Sequence, residues 1–193
     1  MVPHHAMSGC ETASVEFDAL VLAGGGSTRF GGVDKAMLVL DGVSLLDRVL
    51  TATAAAEETV VVGAMRTAYR PVQWTLEDPP AGGPVAGLAA GLAYGAAPVV
   101  VVVSCDLPWI TAQDVDQLVN GLGDHDGHGL RDTAGQEQQL AAAYRRTALA
   151  DAIAQVGDPR DKSVRRTLAT LDLAWTEPTR AGDDVDTWAD LDD

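Results

Sequence analysis

The residues best suited to chemistry lie in one stretch, Leu22-Ala23-Gly24-Gly25-Gly26-Ser27-Thr28-Arg29-Phe30-Gly31-Gly32-Val33-Asp34-Lys35. Successive glycines let backbone N–H groups approach phosphate oxygens with no Cβ in the way, and Arg29 and Lys35 add positive charge. Such a loop binds a nucleotide or another phosphate ester. Three related loops fail on inspection. A Walker A loop needs Lys and then Ser or Thr after its last glycine, but Gly26-Ser27-Thr28-Arg29-Phe30-Gly31 is followed by Gly32 and Val33. The dinucleotide fingerprint needs its third glycine where Arg29 stands. The hydrolase nucleophile elbow needs a glycine two residues after Ser27, and Arg29 stands there again.

A second candidate is Val103-Ser104-Cys105-Asp106-Leu107-Pro108. A carboxylate leaving a central strand lies where ligands bind in an open α/β sheet, and Asp-Xaa-Pro fixes the turn so that Asp106 faces the crevice. Hard oxygen donors suit Mg²⁺, which keeps several waters and takes one or two carboxylates beside nucleotide phosphates. Asp106 is therefore the first metal-ligand candidate. The competing reading is that Asp106 only caps the next turn.

Positioning these groups requires strands that end at them. Phe17 to Ala23 is an apolar run ending in glycines, the pattern of a buried parallel strand feeding a loop. Leu45, Leu46, Val49 and Leu50 recur at helical spacing within 44–56. Thr59 to Val62 and Trp74 to Leu76 read as short strands. The stretch from Gly82 to Ala96 reads as a helix opened by Pro84, whose glycines 87, 91 and 95 share one face for close packing on a strand. Val99 to Val103, five valines in a row, is the expected central strand. Thr111 caps a helix running to about Leu122, with Asp114 and Asp116 near its positive end. Gly121 to Gly135 reads as a loop or hairpin, Gln139 to Tyr144 as a strand, Thr147 to Val156 as a helix and Lys162 to Leu168 as a short basic helix. The end, from Ala181, carries six aspartates and reads as an acidic tail or as a last helix over 187–191. This alternation predicts a doubly wound sheet with its ligands at the carboxyl ends of the strands.

With 193 residues, 47% hydrophobic, the chain can bury a core without disulfides or a structural metal. Residues 1–16 are expected to be a disordered extension and 17–193 a single domain. The formal charge of -15, from 28 acidic and 13 basic side chains, disfavours nucleic acid and anionic membranes as partners. A small anionic ligand is still held by a few local cations or a metal. Cys10 and Cys105 make no disulfide framework, and the first ten residues carry no apolar stretch of signal-peptide length, so a reducing, cytoplasmic location is expected. His4 and His5 are read as inert. No segment approaches the roughly 20 apolar residues of a membrane span.

The stretch Leu22 to Lys35 resembles the signature of nucleotidyltransferases of the molybdenum cofactor guanylyltransferase (MobA) type. The resemblance continues through Glu77-Asp78, Gly83-Pro84-Val85-Ala86-Gly87, Cys105-Asp106-Leu107-Pro108 and, more weakly, Asp184-Val185-Asp186-Thr187. It implies a three-layer α/β/α Rossmann-like fold with a mostly parallel central sheet, and transfer of GMP from GTP to molybdopterin with release of pyrophosphate. By matching positions it implies that Leu22, Ala23, Gly24 and Gly25 line the nucleotide. Lys35 would contact its phosphates, Asp78 would contact the nucleotide and Asp106 would hold Mg²⁺. Arg29, Lys35 and Asp106 are the residues expected to serve catalysis. The implied partners are GTP and molybdopterin, with transient contact to cofactor-delivery or molybdoenzyme proteins.

The chain departs from the family pattern in three places. Phe30 replaces the usual Met, Gly63 stands where an Asn is common, and Asp184-Val185-Asp186-Thr187 exchanges the amides of Asn-Val-Asn-Thr for charges. Asp186 would then complete the metal site, or Asp184 or Asp186 would cap a final helix. Lys162, Arg165 and Arg166, at i, i+3 and i+4, form a second basic cluster suited to the phosphate of the pterin. The alternatives within this chemistry are a molybdopterin cytidylyltransferase or a transferase for another small metabolite. From a different class, the alternative is a catalytically silent nucleotide-binding accessory protein.

Overall fold

The structure is a computed structural model, and it describes residues 15–24, 33–185, 187 and 190. Its chain order is β1 (Phe17–Leu22), a 3-10 turn (Lys35–Met37), β2 (Val39–Leu40), β3 (Val43–Ser44), α1 (Leu45–Ala52), β4 (Thr59–Val62), β5 (Gln73–Thr75), α2 (Pro84–Gly91) and β6 (Val99–Ser104). There follow α3 (Ala112–Asn120), β7 (Gly127–Arg131), β8 (Glu137–Arg145), α4 (Arg146–Gln155), α5 (Val164–Thr167), β9 (Leu173–Pro178) and a second 3-10 turn (Arg180–Gly182). The main sheet has seven strands in the order β5-β4-β1-β6-β8-β7-β9. β8 pairs antiparallel with both β6 and β7, and the remaining pairs are parallel, so the sheet is mostly parallel as the family resemblance implied.

The five valines of β6 occupy the fourth of seven positions, and the period-two rule divides them between two cores. Val99, Val101 and Val103 join Phe17, Val21, Leu46, Val49, Val115 and Leu118 under α1 and α3. Val100 and Val102 join Leu20, Leu22, Val85, Leu88, Leu149 and Ile153 under α2 and α4. A strand covered on both faces must be apolar at every position, which explains the uninterrupted run. Each such side chain fully removed from water contributes on the order of 1.5–3 kcal/mol.

Local chemistry sets the ends of the helices. Ser44 accepts from Asp47 N at 3.0 Å and opens α1. Thr111 and Asp114 form a reciprocal capping box on α3, as the sequence predicts for Thr111, with Thr111 N donating to Asp114 Oδ2 at 2.9 Å. Pro84 is the first residue of α2, preceded by Gly83 at φ 84°. Beneath the sheet, Asp18 is 3% exposed yet fully engaged: Ala97 N donates at 2.9 Å, Glu58 N at 3.1 Å, and the Arg146 guanidinium completes an ion pair.

Several expectations need correction. α2 ends at Gly91, so Gly95 lies beyond it in a turn at φ 72° against Asp18, and only Gly87 and Gly91 share the helix face. The Gly121 to Gly135 stretch resolves into β7 and the turn of a β7–β8 hairpin. Lys162 precedes α5, whose cap is Ser163, so the three-residue basic face shrinks to Arg165 and Arg166. The hairpin β2–β3 and strand β9 were not expected: the first is two residues per strand, and the second has a mixed, half-exposed pattern that gives no clean alternation. Of the proposed last helix, only residues 187 and 190 are described; Asp186 lies outside the described residues.

Candidate functional site

The order of the sheet places the site. Strands β1, β4 and β5 advance in one direction, and the chain then returns to put β6 on the other side of β1, so the crevice opens at the carboxyl ends of β1 and β6. Leu22 ends β1 and pairs with Ser104, which ends β6. The chain stays tied beyond both strands, since Cys105 N donates to Leu22 O at 3.0 Å and Ala23 N to Val62 O at 2.8 Å. Both sequence motifs are thereby fixed to one edge of the sheet by backbone hydrogen bonds.

A cavity of about 650 Å³ opens there. Its lining includes Leu22 and Gly24 from the β1 exit, Gly63 and Arg66 from the β4 exit, Glu77 after β5, and Gly83 with Pro84 at the start of α2. Mostly apolar walls with a few polar groups suit a flat, partly polar ring system. Gly63 is needed where it stands: a Cβ there would lie 2.9 Å from the Ala23 carbonyl group, at a φ of 152°.

Next to this edge, Lys35 Nζ donates to Asp106 Oδ2 at 2.8 Å, joining groups 71 residues apart. The two side chains are 18% and 22% exposed, so both stay accessible to a ligand. Lys35 is held by a short turn whose cap is Asp34: the Asp34 carboxylate accepts from Ala36 N at 3.2 Å through one oxygen and pairs with Arg66 through the other. Val185 N donates to the Asp106 carbonyl at 2.9 Å, so the Asp184-Val185 segment is laid beside Asp106. The adjacent Cys105 is buried, and desolvation, reinforced by the negative charge of Asp106, pushes its thiol up to about 12. It is a neutral packing group at the site and no nucleophile.

The donor set fits a hard cation that arrives with a polyphosphate. Asp106 offers one accessible carboxylate, and Mg²⁺ needs only one or two when phosphate oxygens and waters complete its shell. Among the described residues, no group of three or more His, Cys, Asp or Glu gathers into an all-protein metal cage.

A second cavity, of about 470 Å³, is lined by Trp109, Asp132, Thr133, Ala134, Arg180, Asp183, Asp184 and Asp190. These residues follow the exits of β6, β7 and β9, on the same edge of the sheet. The Arg180 guanidinium lies 4.5 Å over the Trp109 ring, and Asp183 accepts from Thr133 N at 2.8 Å.

Of the residues singled out from sequence, Lys35 and Asp106 meet, and Leu22 and Gly24 line the first cavity beside the buried Ala23. Asp78 is exposed and lies outside that lining, where its neighbour Glu77 takes part and accepts from Gly82 N at 3.3 Å. Gly25 and Arg29 lie outside the described residues. Arg165 borders a different groove, with Asp172 and Trp175, that shares no lining residue with the other two cavities. Sequence reading missed Arg66 and Arg180. The signal for Arg66 was an isolated cation just past a strand exit in a chain with few cations, and Arg180 carried no comparable signal.

Comparison with known proteins agrees with this geometry. Residues 19–175 match the family model of the MobA-like NTP transferase domain. A molybdenum cofactor guanylyltransferase of Burkholderia orbicola is 31% identical over 196 residues, covering 93% of this chain and 95% of that protein. A probable molybdenum cofactor guanylyltransferase of Natronomonas pharaonis is 30% identical, covering 81% and 82%. Among solved structures, molybdopterin-guanine dinucleotide biosynthesis protein A from Archaeoglobus fulgidus superimposes with a TM-score of 0.70 at 21% identity, covering 91% of this chain and 95% of that one. The 2-C-methyl-D-erythritol 4-phosphate cytidylyltransferase of Thermus thermophilus gives 0.68 at 16% identity, covering 89% and 94%. At these identities the two structures speak to the fold.

Proposed function

Because the chain belongs to the MobA-like NTP transferase domain family and is a nucleotidyltransferase, we propose that it transfers GMP from GTP to molybdopterin in a Mg²⁺-dependent reaction that releases pyrophosphate. The observation that carries this reading is the Lys35–Asp106 pair at the edge of an apolar cavity, at the switch point of the sheet.

The acceptor's terminal phosphate is already a nucleophile, so the protein has little proton transfer to perform. Its work is to align that phosphate with the α-phosphorus and to neutralise charge on the leaving pyrophosphate. The base would lie in the first cavity against Leu22, Gly24 and Glu77, with Asp78 and the Gly25 backbone contributing at its border. Lys35 would leave Asp106 for the phosphates, with Arg29 as the second cation, and Asp106 would turn its freed oxygen to the metal. Mg²⁺, when bound, neutralises phosphate charge and orients the triphosphate. The acceptor would enter from the second cavity, where Arg180 and Trp109 offer a cation and a ring face. That assigns to Arg180 the phosphate contact expected of Lys162, Arg165 and Arg166.

Residues 17–193 would act as one domain in the cytoplasm, handing product to molybdoenzyme or cofactor-delivery proteins by transient contact. Among the described residues no helix is long and apolar enough to cross a membrane. The test is pyrophosphate release with Mg²⁺, molybdopterin and each NTP in turn. GTP-specific release that is lost in Asp106→Ala and Lys35→Ala supports the reading. Release with CTP reassigns the base, and GTP binding without release makes the chain an accessory protein.

A further inference from the structure

Arg66 is a cation of the nucleotide cavity to which no role has been given above. Its side chain is 15% exposed and lies along the cavity wall with Leu22, Gly24 and Gly63. It is anchored at two points: Nη1 donates to Ala64 O at 2.8 Å, and Nε donates to Asp34 Oδ2. Room for it comes from Gly63, where a Cβ would stand 3.1 Å from Nη1. The other Asp34 oxygen caps the three-residue turn that presents Lys35, and Lys35 reaches Asp106. A continuous chain of contacts thus runs from the wall of the nucleotide cavity to the carboxylate assigned to the metal.

Resting on the nucleotidyl-transfer reading, we propose that Arg66 is a positioning residue: through Asp34 it sets the orientation of the turn that carries Lys35, coupling the wall of the base cavity to the phosphate-binding lysine. The physical need is plain. A 3-10 turn of three residues has poor hydrogen-bond geometry and little stability of its own; the buried Ala36 and Leu38 anchor its inner side, and the Asp34 cap holds the exposed end that presents Lys35. The Asp34 side chain is 42% exposed, and without a partner it would rotate into water. The planar guanidinium holds it through a fixed fork, with the second arm locked on Ala64 O. An amine on a flexible stem lacks that second constraint.

The test is a mutant cycle on the full-length protein, with pyrophosphate release and calorimetric binding of Mg·GTP as readouts. Arg66→Ala is expected to lower kcat by about ten- to a hundredfold, the cost of a misplacement near 1 Å, with KM for GTP changing less than about threefold. Arg66→Lys should recover part of the loss, and Asp34→Asn should reproduce it. The decisive variant is Lys35→Ala combined with Arg66→Ala. With the lysine gone there is nothing left to position, so the double variant should match Lys35→Ala alone in both readouts. Multiplicative losses in the double variant, or a change confined to KM, would show that Arg66 acts on the nucleotide directly and overturn the proposal. If Arg66→Ala fails to fold, Asp34→Asn carries the same test, and its full activity has the same consequence. A wild-type protein that binds Mg·GTP but releases no pyrophosphate defeats the transfer reading and, since the positioning role is read in kcat, that role with it; release by the wild type with multiplicative losses in the double variant defeats the positioning role alone. A wild-type protein that does neither defeats both.

Discussion

Two glycines on one face of α2 make opposite predictions when each receives a single methyl group. At Gly91 an added Cβ would lie 1.9 Å from Leu20 Cδ1, 2.9 Å from Leu20 Cγ and 3.1 Å from Val62 Cγ2. Leu20 is 2% exposed, so its side chain cannot swing into water and must repack inside a closed layer. Overpacking of this kind costs about 1–3 kcal/mol, against a gain of at most about 1 kcal/mol for removing a helical glycine. Gly91→Ala should therefore lose about 1–2 kcal/mol. At Gly87 the nearest atoms are Leu22 Cδ2 at 3.3 Å and Val62 Cγ1 at 3.5 Å, a crowding that side-chain ends relieve by a few tenths of an ångström. There helix propensity wins, and Gly87→Ala should be neutral or up to about 1 kcal/mol more stable. In a domain of this size each kcal/mol moves Tm by about 2–4 °C, so urea unfolding and thermal melts resolve the pair. Gly87 itself lines the cavity with Leu22 and Val62 and Gly91 does not, so Gly87→Ala should raise KM for the nucleotide at least as much as Gly91→Ala, although it costs no stability. A Gly91→Ala protein at least as stable as wild type would refute the seating of α2 on β1 described above.

Asp18→Ala should cost about 3–5 kcal/mol in urea unfolding, because it leaves the Arg146 guanidinium and two backbone N–H groups without their shared acceptor. Cys105 should resist iodoacetamide in the native Cys10→Ser variant at pH 8.5 and react promptly once the chain is unfolded, as mass spectrometry would show. The same thiol predicts alkaline sensitivity. Its ordinary value is 9.0 and its native value about 12, so the unfolded chain releases the proton first. The stability gained by keeping the thiol neutral is complete below pH 9 and is lost as pH rises towards 12. A Cys105→Ala background should reduce the alkaline loss in denaturation curves, the remainder coming from the buried Tyr144 hydroxyl, which desolvation also holds neutral. Asp106→Asn keeps the shape of the side chain but removes its charge, and pyrophosphate release should fall at least about a hundredfold while the protein still unfolds cooperatively.

Much of the scaffold was legible because it rests on local patterns. Five valines between a proline and a strand-ending serine admit little but a doubly covered strand. Thr111 with Asp114 announces a helix start, and Pro84 another. What stayed hidden rests on weak or distant signals. β9 lacks alternation because it lies at the edge of the sheet. The glycine face of α2 was read one turn too long, because spacing alone does not show where a helix ends. Lys162 was placed on a helix that Ser163 begins. At the site, the strand-to-glycine motif and the strand-ending Asp106 stood out as residue types in a telling order, and Arg66 did not.

By itself, the sequence determined that a phosphate loop with two cations follows an apolar strand, that a carboxylate leaves a valine strand, and that these belong to a nucleotidyltransferase pattern. Such features depend on neighbours within a few positions, which the chain carries wherever it folds. Only the tertiary structure decided that Lys35 pairs with Asp106 across 71 residues, that Arg66 reaches Asp34, and that Val185 returns to the Asp106 backbone. Those contacts exist because β6 crosses to the far side of β1 and its exit lies beside the end of β1, a choice of strand order that the packing of two helical layers makes and that local sequence does not encode.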